Sequence, residues 1–452
     1  MKISTPTDIQ QQAITCTEPN IAVFGVPGSG KTTLIVERIA HILREGTPPE
    51  RIACITSTNA AGRQVERLLS MSKPVTLGYC GTIQGLLLRR FIQDPISVVN
   101  EADNNMADRI LDAGAEALRE PCYDGNPEPI FYDLLWDEYE DVGWLTHEIF
   151  LRLPALNRFV TSSYNQSIFG WRGAIRNIAG IWAYRLPPQA QFQLGTNYRC
   201  GPTICAHASR LLPHPHMAPA SEHADYVHVQ QFWRDGLEIQ AIAADILTKP
   251  YPDECAVMLR TNALLTKYRL LLRGLGATVV LADPKTRPDD YERVAAYLRR
   301  MATPSCETPQ YDWNTVGDTV AAMGASADMI AIVNAARLNL QSLWEIIAEM
   351  QYLDLGLSNA SRLVHTSTIH AAKGLEFDYV YLPAFEQGII PSAAKYADLE
   401  EERRLAYVAL TRARKGVWIS YCDERAKPWG NGTPQPASPS QFIEDMTSQS
   451  HE

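Results

Sequence analysis

The residues with the clearest chemistry lie in the stretch IAVFGVPGSGKTT, residues 21–33, where an apolar run opens into a glycine-bearing loop and then a helix. Gly25, Gly30, Lys31 and Thr32 occupy every fixed position of the pattern G-x-x-x-x-G-K-[ST]. With Gly28, these glycines permit the positive φ angles that turn successive backbone N–H groups towards an anion. Lys31 is expected to reach the β- and γ-phosphates of a nucleoside triphosphate, and Thr32 to bind Mg²⁺. The alternative is a glycine-rich turn before a helix that binds no ligand.

A pair of adjacent carboxylates follows a second apolar run, in FYDLLWDEYED, residues 131–141. Asp137 at the end of such a strand can hold Mg²⁺, and Glu138 can orient the water that attacks the terminal phosphate. The alternative is two acidic residues on the surface. Beside a phosphate-binding loop, the pair favours nucleotide hydrolysis.

Residues 159–174, FVTSSYNQSIFGWRGA, combine a strand with Gln166 and a cluster of aromatic and basic side chains, Phe169, Trp171 and Arg172. Aromatic faces beside a guanidinium group form a platform on which bases of any sequence can stack. Such an aromatic pair also occurs in hydrophobic cores, so the cluster alone leaves both interpretations open.

The elements that position these residues alternate between strand and helix. A strand over residues 21–25, an amphipathic helix over 34–43 and a buried strand over 51–58 predict a βαβ unit. A second set of strand-like runs comes later in the chain: YVHVQQF, ECAVMLR, ATVVLA, RLVHTSTI, FDYVYLPAF and GVWISY. The sequence therefore predicts an α/β protein with two parallel-sheet units.

Changes in composition suggest where the units begin and end. The first unit is expected over residues 1–200, with a small polar insertion at about 94–129. The second is expected over 201–425, with a mainly helical insertion at about 303–359, followed by a flexible tail over 426–452.

Bulk composition narrows the class of protein. The chain has 452 residues and a net charge of −10, from 41 basic and 51 acidic residues. This balance does not exclude a nucleic-acid partner, because a protein that must release its polymer at each step needs only a local basic groove. Scattered cysteines without metal-ligand spacing indicate reduced thiols, and no apolar run approaches the roughly 18 residues of a membrane helix. We expect a cytoplasmic protein with no membrane partner.

Two late stretches resemble a known family. HTSTIHAAKGLEFDYVYLPAFEQGIIP and LEEERRLAYVALTRARKGVWI are similar to motifs V and VI of superfamily 1 DNA helicases of the UvrD, PcrA and Rep type. Earlier stretches then fall into that family's order, from PTDIQQQAI, similar to its adenine-reading motif, through GVPGSGKTT and WDEYED to NQSIFGWRGA and TNYRC. The resemblance extends from residue 6 to about residue 420. It implies two RecA-like domains of the P-loop NTPase class, with insertions shorter than the family's accessory domains.

The resemblance also implies a site for ATP and Mg²⁺. Its nucleotide-binding residues are Gln10, Gly28, Ser29, Gly30, Lys31, Thr32, Thr33, Tyr198, Arg199, Glu376 and Arg412. Its catalytic residues are Lys31, Asp137, Glu138, Gln166, Arg199 and Arg412, and its metal ligands are Thr32 and Asp137. Among these, Gln10 and Tyr198 are assigned to the adenine, and Gln166, Arg199 and Arg412 to the γ-phosphate.

The resemblance implies that the polymer is single-stranded DNA, along which the protein moves 3′ to 5′. It also implies binding to junctions of single strand with duplex. The residues implied in DNA contact are Thr82, Phe169, Trp171, Arg172 and His370. RNA remains an alternative polymer, because stacking and phosphate contacts do not read the 2′-hydroxyl. A partner that loads the protein, or one from repair or replication, is also left open.

Several residues depart from the family pattern. Thr161 and Ser162 replace a Gly-Asp pair, and Glu140 replaces a glutamine. Thr33 stands in place of an arginine, Ser57 in place of a stacking aromatic residue and Gln84 in place of a histidine. A weaker hold on the strand and altered coupling between the nucleotide and DNA sites are the expected consequences. The altered residues Thr161, Ser162 and Glu140 support an alternative function, a nucleotide-gated clamp or assembly factor on single-stranded DNA that does not unwind processively.

Overall fold

The computed structural model describes residues 6–70, 75–94, 98, 106–119, 129–212, 215–220, 223–249, 254–275, 278–281, 363–394, 397–426 and 434–448. The chain folds as two units, Met1–Arg199 with Leu212–Ser221, and Cys200–Leu211 with Glu222–Glu452. The boundary expected at residue 200 lies beside the first switch between the units. Residues 212–221 belong to the first unit again, and no feature of the sequence predicts this.

The first unit alternates strands and helices. Its elements are α1 (Asp8–Thr15), β1 (Asn20–Gly25), α2 (Lys31–Arg44), β2 (Ile52–Ile55), α3 (Asn59–Ser70), β3 (Tyr79–Gly81), α4 (Ile83–Arg90), α5 (Met106–Ala117), β4 (Phe131–Trp136), α6 (Trp144–Arg152), β5 (Ala155–Ser162), α7 (Ile178–Ala183), β6 (Gln191–Leu194), and the short paired strands β7 (Thr196–Asn197) and β8 (Ala218–Pro219). The main sheet has the order β3-β2-β4-β5-β1-β6, and each neighbouring pair is parallel. The carboxyl ends of these strands therefore share one edge.

The central strands of this sheet are buried on both faces, as their continuous apolar runs predict. In β1, Ala22 and Phe24 pack into one hydrophobic cluster, whereas Ile21 and Val23 pack into the other. This alternation follows from the two-residue period of a strand. Thr7 caps α1, with its side chain accepting from the Gln10 N–H.

The second unit contains another largely parallel sheet. Its elements are α8 (Pro202–Leu211), β9 (Tyr226–Arg234), α9 (Asp235–Thr248), β10 (Cys255–Leu259), α10 (Asn262–Gly274), β11 (Thr278–Leu281), β12 (Leu363–Thr368), β13 (Phe377–Leu382), α11 (Leu399–Leu410), β14 (Ala413–Ala426), β15 (Pro434–Pro436) and α12 (Gln441–Thr447). The order is β11-β12-β10-β13-β14-β15, with β9 also paired to β14. Only β15 is antiparallel within the described sheet, and all six predicted strand-like runs form strands.

A buried ionic network lies inside the second unit. Arg425 donates to Glu386 at 2.7 Å and to Glu238 at 2.6 Å, and both carboxylates are almost fully buried. Ser420 also donates to Glu238, at 2.7 Å. These contacts join α9, the segment after β13 and β14, so the network holds the second sheet to its flanking helix.

The end of the chain differs from the flexible tail that the sequence suggests. Within residues 434–448, β15 pairs with β14, and the side chains of Phe442 and Met446 are fully buried. The Arg403 guanidinium lies 4.9 Å from the centre of the Phe442 ring and donates to Asp445 at 2.5 Å. Apolar residues at helical spacing anchor this part, so it is packed against the second unit.

The expected helical insertion at about 303–359 lies outside the described residues, and so does most of the polar insertion, apart from α5 and its immediate surroundings. The cysteines of the described segments have free thiols. None of the described helices has the length and apolar character that crossing a membrane requires.

Candidate nucleotide and nucleic-acid site

The phosphate-binding loop connects β1 to α2 in the way that the sequence predicts. Gly28 and Gly30 have φ angles of 65° and 83°, in the left-handed region that favours glycine. A Cβ atom at Gly28 would lie 2.7 Å from the Cβ atom of Arg199. The loop therefore requires glycine at this position both for its conformation and for its close approach to the segment around Arg199.

Two polar side chains of the loop fit an anionic ligand. Lys31 Nζ donates to the carbonyl oxygens of Gly25 and Val26 at 3.0 and 3.1 Å. Burial lowers the pKa of Lys31 to about 8, although the neighbouring carboxylates, Glu140 foremost, oppose this shift. Ser29 Oγ is buried and has no hydrogen-bond partner among the described residues. A triphosphate would supply the charge and the acceptors that these two groups need.

The carboxylate of Asp137 is held at both oxygen atoms. Thr32 Oγ1 donates to Oδ2 at 2.7 Å, and Thr161 Oγ1 donates to Oδ1 at 2.5 Å. Burial, with a smaller contribution from Glu138, raises the pKa of Asp137, and the two hydroxyl donors oppose that rise. A hydroxyl and a carboxylate in contact suit Mg²⁺, which binds through few protein ligands and takes its others from phosphate and water.

Glu138 has an unusual backbone conformation for a residue with a side chain, with φ 59° and ψ 46°. Such left-handed residues are strained and are concentrated at functional sites. Its carboxylate accepts a hydrogen bond from Ser57 Oγ at 2.8 Å. Its backbone N–H donates to Asp137 Oδ1 at 3.1 Å.

The segments before and after the main sheet both reach the phosphate-binding loop. Gln10 Nε2 donates to the Ser29 carbonyl oxygen at 3.1 Å, while its Oε1 accepts from the Thr7 N–H at 2.9 Å. Tyr198 N–H donates to the Gly28 carbonyl oxygen at 2.9 Å. The structure thus brings Gln10, Tyr198 and Arg199 to the loop, as the resemblance implies. The Oε1 and Nε2 atoms of Gln10 can each form one further hydrogen bond.

The other residues of the first unit that the resemblance assigns to the nucleotide differ in their burial. Gln166 is buried in the turn after β5, while Thr33 is exposed in the first turn of α2. Glu140 is buried and accepts from the Ser163 N–H at 3.0 Å. The glutamate that replaces a family glutamine therefore joins the ends of β4 and β5.

Trp171 and Arg172 are exposed and Phe169 is half-buried, which favours the stacking platform over a core pair. Trp171 is 63% exposed, and the Arg172 guanidinium lies 4.5 Å from its ring centre and 5.3 Å from that of Phe169. A backbone bridge between Gly143 and Ala174 holds this turn beside the start of α6. Thr82, the other implied DNA contact of this unit, caps α4 by accepting from the Gly85 N–H at 3.3 Å.

Three implied residues belong to the second unit. Arg412 is buried, and its guanidinium donates to the carbonyl oxygens of Val408 and Leu375 at 3.1 and 3.3 Å. Glu376 forms an ion pair with Arg414 at 3.2 Å. His370 is half-buried in the turn after β12. Their roles at the nucleotide and the strand stay predictions.

The structure adds contacts that no motif indicates. Thr161 and Ser57 stand out in the sequence only as departures from the family pattern, and in the structure each donates to one of the paired carboxylates. A hydroxyl at the carboxyl end of a parallel strand, beside another strand that ends in Asp-Glu, is the signal that could have found them.

A parallel sheet, a phosphate-binding loop at its carboxyl edge and an acidic pair on a nearby strand define a P-loop NTPase, and the two units are RecA-like α/β domains. The model of the UvrD/REP helicase N-terminal domain matches residues 7–106. That of the UvrD-like helicase C-terminal domain matches residues 318–424. Models of an N-terminal and a C-terminal helicase domain of the UvrD type thus match the chain in order, one in each half.

Similar proteins carry the same family name. The ATP-dependent DNA helicase Rep of Escherichia coli is 24% identical over 95% of this chain and 92% of its own length. A probable DNA helicase II homolog of Mycoplasma genitalium is 22% identical over 91% of this chain and 84% of its own length. A probable DNA helicase II homolog of Rickettsia conorii is 47% identical, but the match covers 15% of this chain and only 11% of that relative.

Proposed function

We propose that this protein hydrolyses ATP to move 3′ to 5′ along single-stranded DNA and to separate the strands of a duplex. The observation that carries the proposal is the Asp137 carboxylate, which accepts from Thr32 Oγ1 at 2.7 Å and from the Glu138 N–H at 3.1 Å. Lys31 lies in the same loop as Thr32 and donates to its carbonyl oxygens. An exposed aromatic and basic platform follows the same sheet edge. The family supports the direction of movement and the polymer.

In the proposed reaction, the loop N–H groups and Lys31 bind the phosphates. Glu138 orients the attacking water and accepts its proton. Thr32 and Asp137 would hold Mg²⁺, which neutralises charge on the phosphate oxygens when bound. Arg199, beside Gly28, would stabilise the charge that develops on the γ-phosphate. The resemblance assigns Gln166, Arg412 and Glu376 to the same nucleotide, and Gln10 and Tyr198 to its base.

The proposed strand site uses stacking. Trp171 and Phe169 offer ring faces, and Arg172 offers a cation beside them. Stacking contributes roughly 1–3 kcal/mol per base, which is strong enough to hold a strand and weak enough to be broken in each cycle. Thr82 and His370 would contact the strand as well.

The first test is ATP hydrolysis with and without single-stranded DNA. We expect strong stimulation by DNA, and loss of activity in Lys31→Ala because the phosphate-binding cation is gone. Lys267→Ala is the matched control, since that lysine pairs with Asp235 at 2.5 Å in the second unit. Hydrolysis that is indifferent both to DNA and to Lys31→Ala would overturn the proposal.

A second test separates a motor from a clamp. Single-stranded DNA carries streptavidin at either its 3′ or its 5′ end, and ATP is added. A 3′-to-5′ motor displaces streptavidin from the 5′ end, whereas a clamp leaves both blocks in place. Duplexes with 3′ or 5′ single-stranded tails then report whether strand separation follows the same direction.

A further inference from the structure

We propose that Ser57 is a positioning residue for Glu138, and that its hydroxyl orients the carboxylate that directs the attacking water. This inference rests on the proposed ATP hydrolysis. Ser57 Oγ donates to Glu138 Oε2 at 2.8 Å, although 81 residues separate the two in sequence. Neither the family motifs nor the resemblance assigns this serine to the nucleotide site.

The register of the sheet places the two residues side by side. Ile55 on β2 pairs with Trp136 on β4, and the Asp137 N–H donates to the Ile55 carbonyl oxygen at 3.0 Å. Ser57 and Glu138 follow these pairing residues by two positions on each strand. Because parallel strands end at the same edge, their side chains meet there.

The backbone on both sides of Ser57 is held in place. Thr56 N–H donates to the Gly81 carbonyl oxygen at 2.9 Å, and Thr56 Oγ1 donates to the Thr58 carbonyl oxygen at 2.9 Å. The backbone that carries the hydroxyl donor is therefore held by contacts within the protein. A group held in this way orients a catalytic carboxylate at little entropic cost.

The two neighbouring carboxylates differ in how many hydroxyl donors hold them. Asp137 has hydroxyl donors on both oxygen atoms, whereas the hydrogen bond from Ser57 reaches a carboxylate at the exposed end of the cluster. A long side chain on a left-handed residue has several rotamers open to it. The Ser57 hydroxyl selects one of them.

The location of Ser57 also connects this contact to the proposed strand site. Gly81 on β3 pairs with Ile55, and Thr82, an implied DNA contact, is the next residue. Ser57 follows β2, the strand between β3, which precedes Thr82, and β4, which precedes Glu138. A hydroxyl stands here where the family carries a stacking ring, so the position serves the nucleotide site in this chain.

The test compares Ser57→Ala with Ser57→Thr in the full-length protein. At saturating ATP and DNA, we expect Ser57→Ala to lower kcat about 10-fold, the effect of one hydrogen bond to a charged group. KM for ATP and the affinity for single-stranded DNA should stay within about 2-fold, because the proposal assigns the Ser57 hydroxyl to Glu138 and to neither ligand. Ser57→Thr keeps the hydroxyl and should restore kcat.

Thr58→Ala is the matched control in the same segment. Its hydroxyl accepts from the Ala61 N–H at 3.1 Å and caps α3, so its loss loosens the segment without removing the donor to Glu138. We expect its kcat to match that of the wild type. An equal loss of kcat in Thr58→Ala, an unchanged kcat in Ser57→Ala or a failure of Ser57→Thr to restore it would overturn the inference.

The two proposals fail in different ways. A wild-type protein whose ATP hydrolysis is indifferent to DNA and to Lys31→Ala contradicts the proposed function. A wild-type protein that passes those tests, together with a fully active Ser57→Ala variant, contradicts only the role of Ser57.

Discussion

Replacing Thr161 with valine should weaken both the fold of the first unit and the binding of Mg²⁺ that we propose for Asp137. Thr161 is fully buried, and its hydroxyl is one of three donors to the Asp137 carboxylate, with Thr32 and the Glu138 N–H. Valine has nearly the same shape, so the change removes the donor without opening a cavity. Oδ1 then keeps only the 3.1 Å contact with the Glu138 N–H among these three.

The magnitude follows from the kind of hydrogen bond that is lost. A hydrogen bond to a charged group contributes about 1.5–3 kcal/mol, and the remaining N–H donor favours the lower value. We therefore expect the free energy of unfolding of the first unit to fall by about 1.5 kcal/mol. Because the same donor orients the carboxylate and opposes the rise of its pKa, the Mg²⁺ concentration for half-maximal ATP hydrolysis should rise about 10-fold.

Urea unfolding measures the first effect, and a Mg²⁺ titration of DNA-stimulated ATP hydrolysis measures the second. Thr161→Ser retains the hydroxyl and is the matched control. The explanation would be refuted by a Thr161→Val variant with wild-type stability and wild-type Mg²⁺ dependence. Equal losses in Thr161→Ser would show that the methyl group, rather than the hydroxyl, is responsible.

Two further predictions concern stability. Burial lowers the pKa of His147 below 6.5, so the unfolded chain takes up its proton first as the pH falls, and the first unit should lose stability below about pH 6.5. His147→Asn, which can still bond to the Tyr139 hydroxyl, should lose less between pH 7.5 and 5.5 in urea unfolding; equal losses would contradict this role. Glu238→Gln leaves Arg425 with an incomplete buried partner and should lower the free energy of unfolding of the second unit by about 3 kcal/mol. The exposed Glu148→Gln is the control, and a similar small change in both variants would refute the assignment.

Contiguous motifs explain why much of this site could be predicted. The phosphate-binding loop, its lysine and its threonine lie within residues 25–32, so their spacing alone specifies the local geometry. Asp137 directly follows a buried strand, which places it at the edge where the loop lies. The central strands of both sheets could be predicted in the same way, because runs such as those of β1 and β10 are short, apolar and bounded by polar or turn-forming residues.

Contacts between distant segments could not be predicted in this way. Thr161 and Ser57 appear in the sequence only as unusual residues in family motifs, with altered coupling between the two sites and a weaker hold on DNA as the expected effects. The structure places their hydroxyl groups on the two acidic residues. The same limit applies to Phe442, whose burial shows that part of the expected flexible tail is packed.

The sequence by itself determined the α/β class, the order of strands and helices, the phosphate-binding loop and the resemblance to one helicase family. These features depend on the spacing of residues that are close in sequence, so the sequence alone is enough to predict them. Only the tertiary structure decided which side chains hold the acidic pair, since Thr32 and Asp137 are 105 residues apart and Ser57 and Glu138 are 81 apart. Strand order and register bring such residues together, and both depend on how the whole sheet packs.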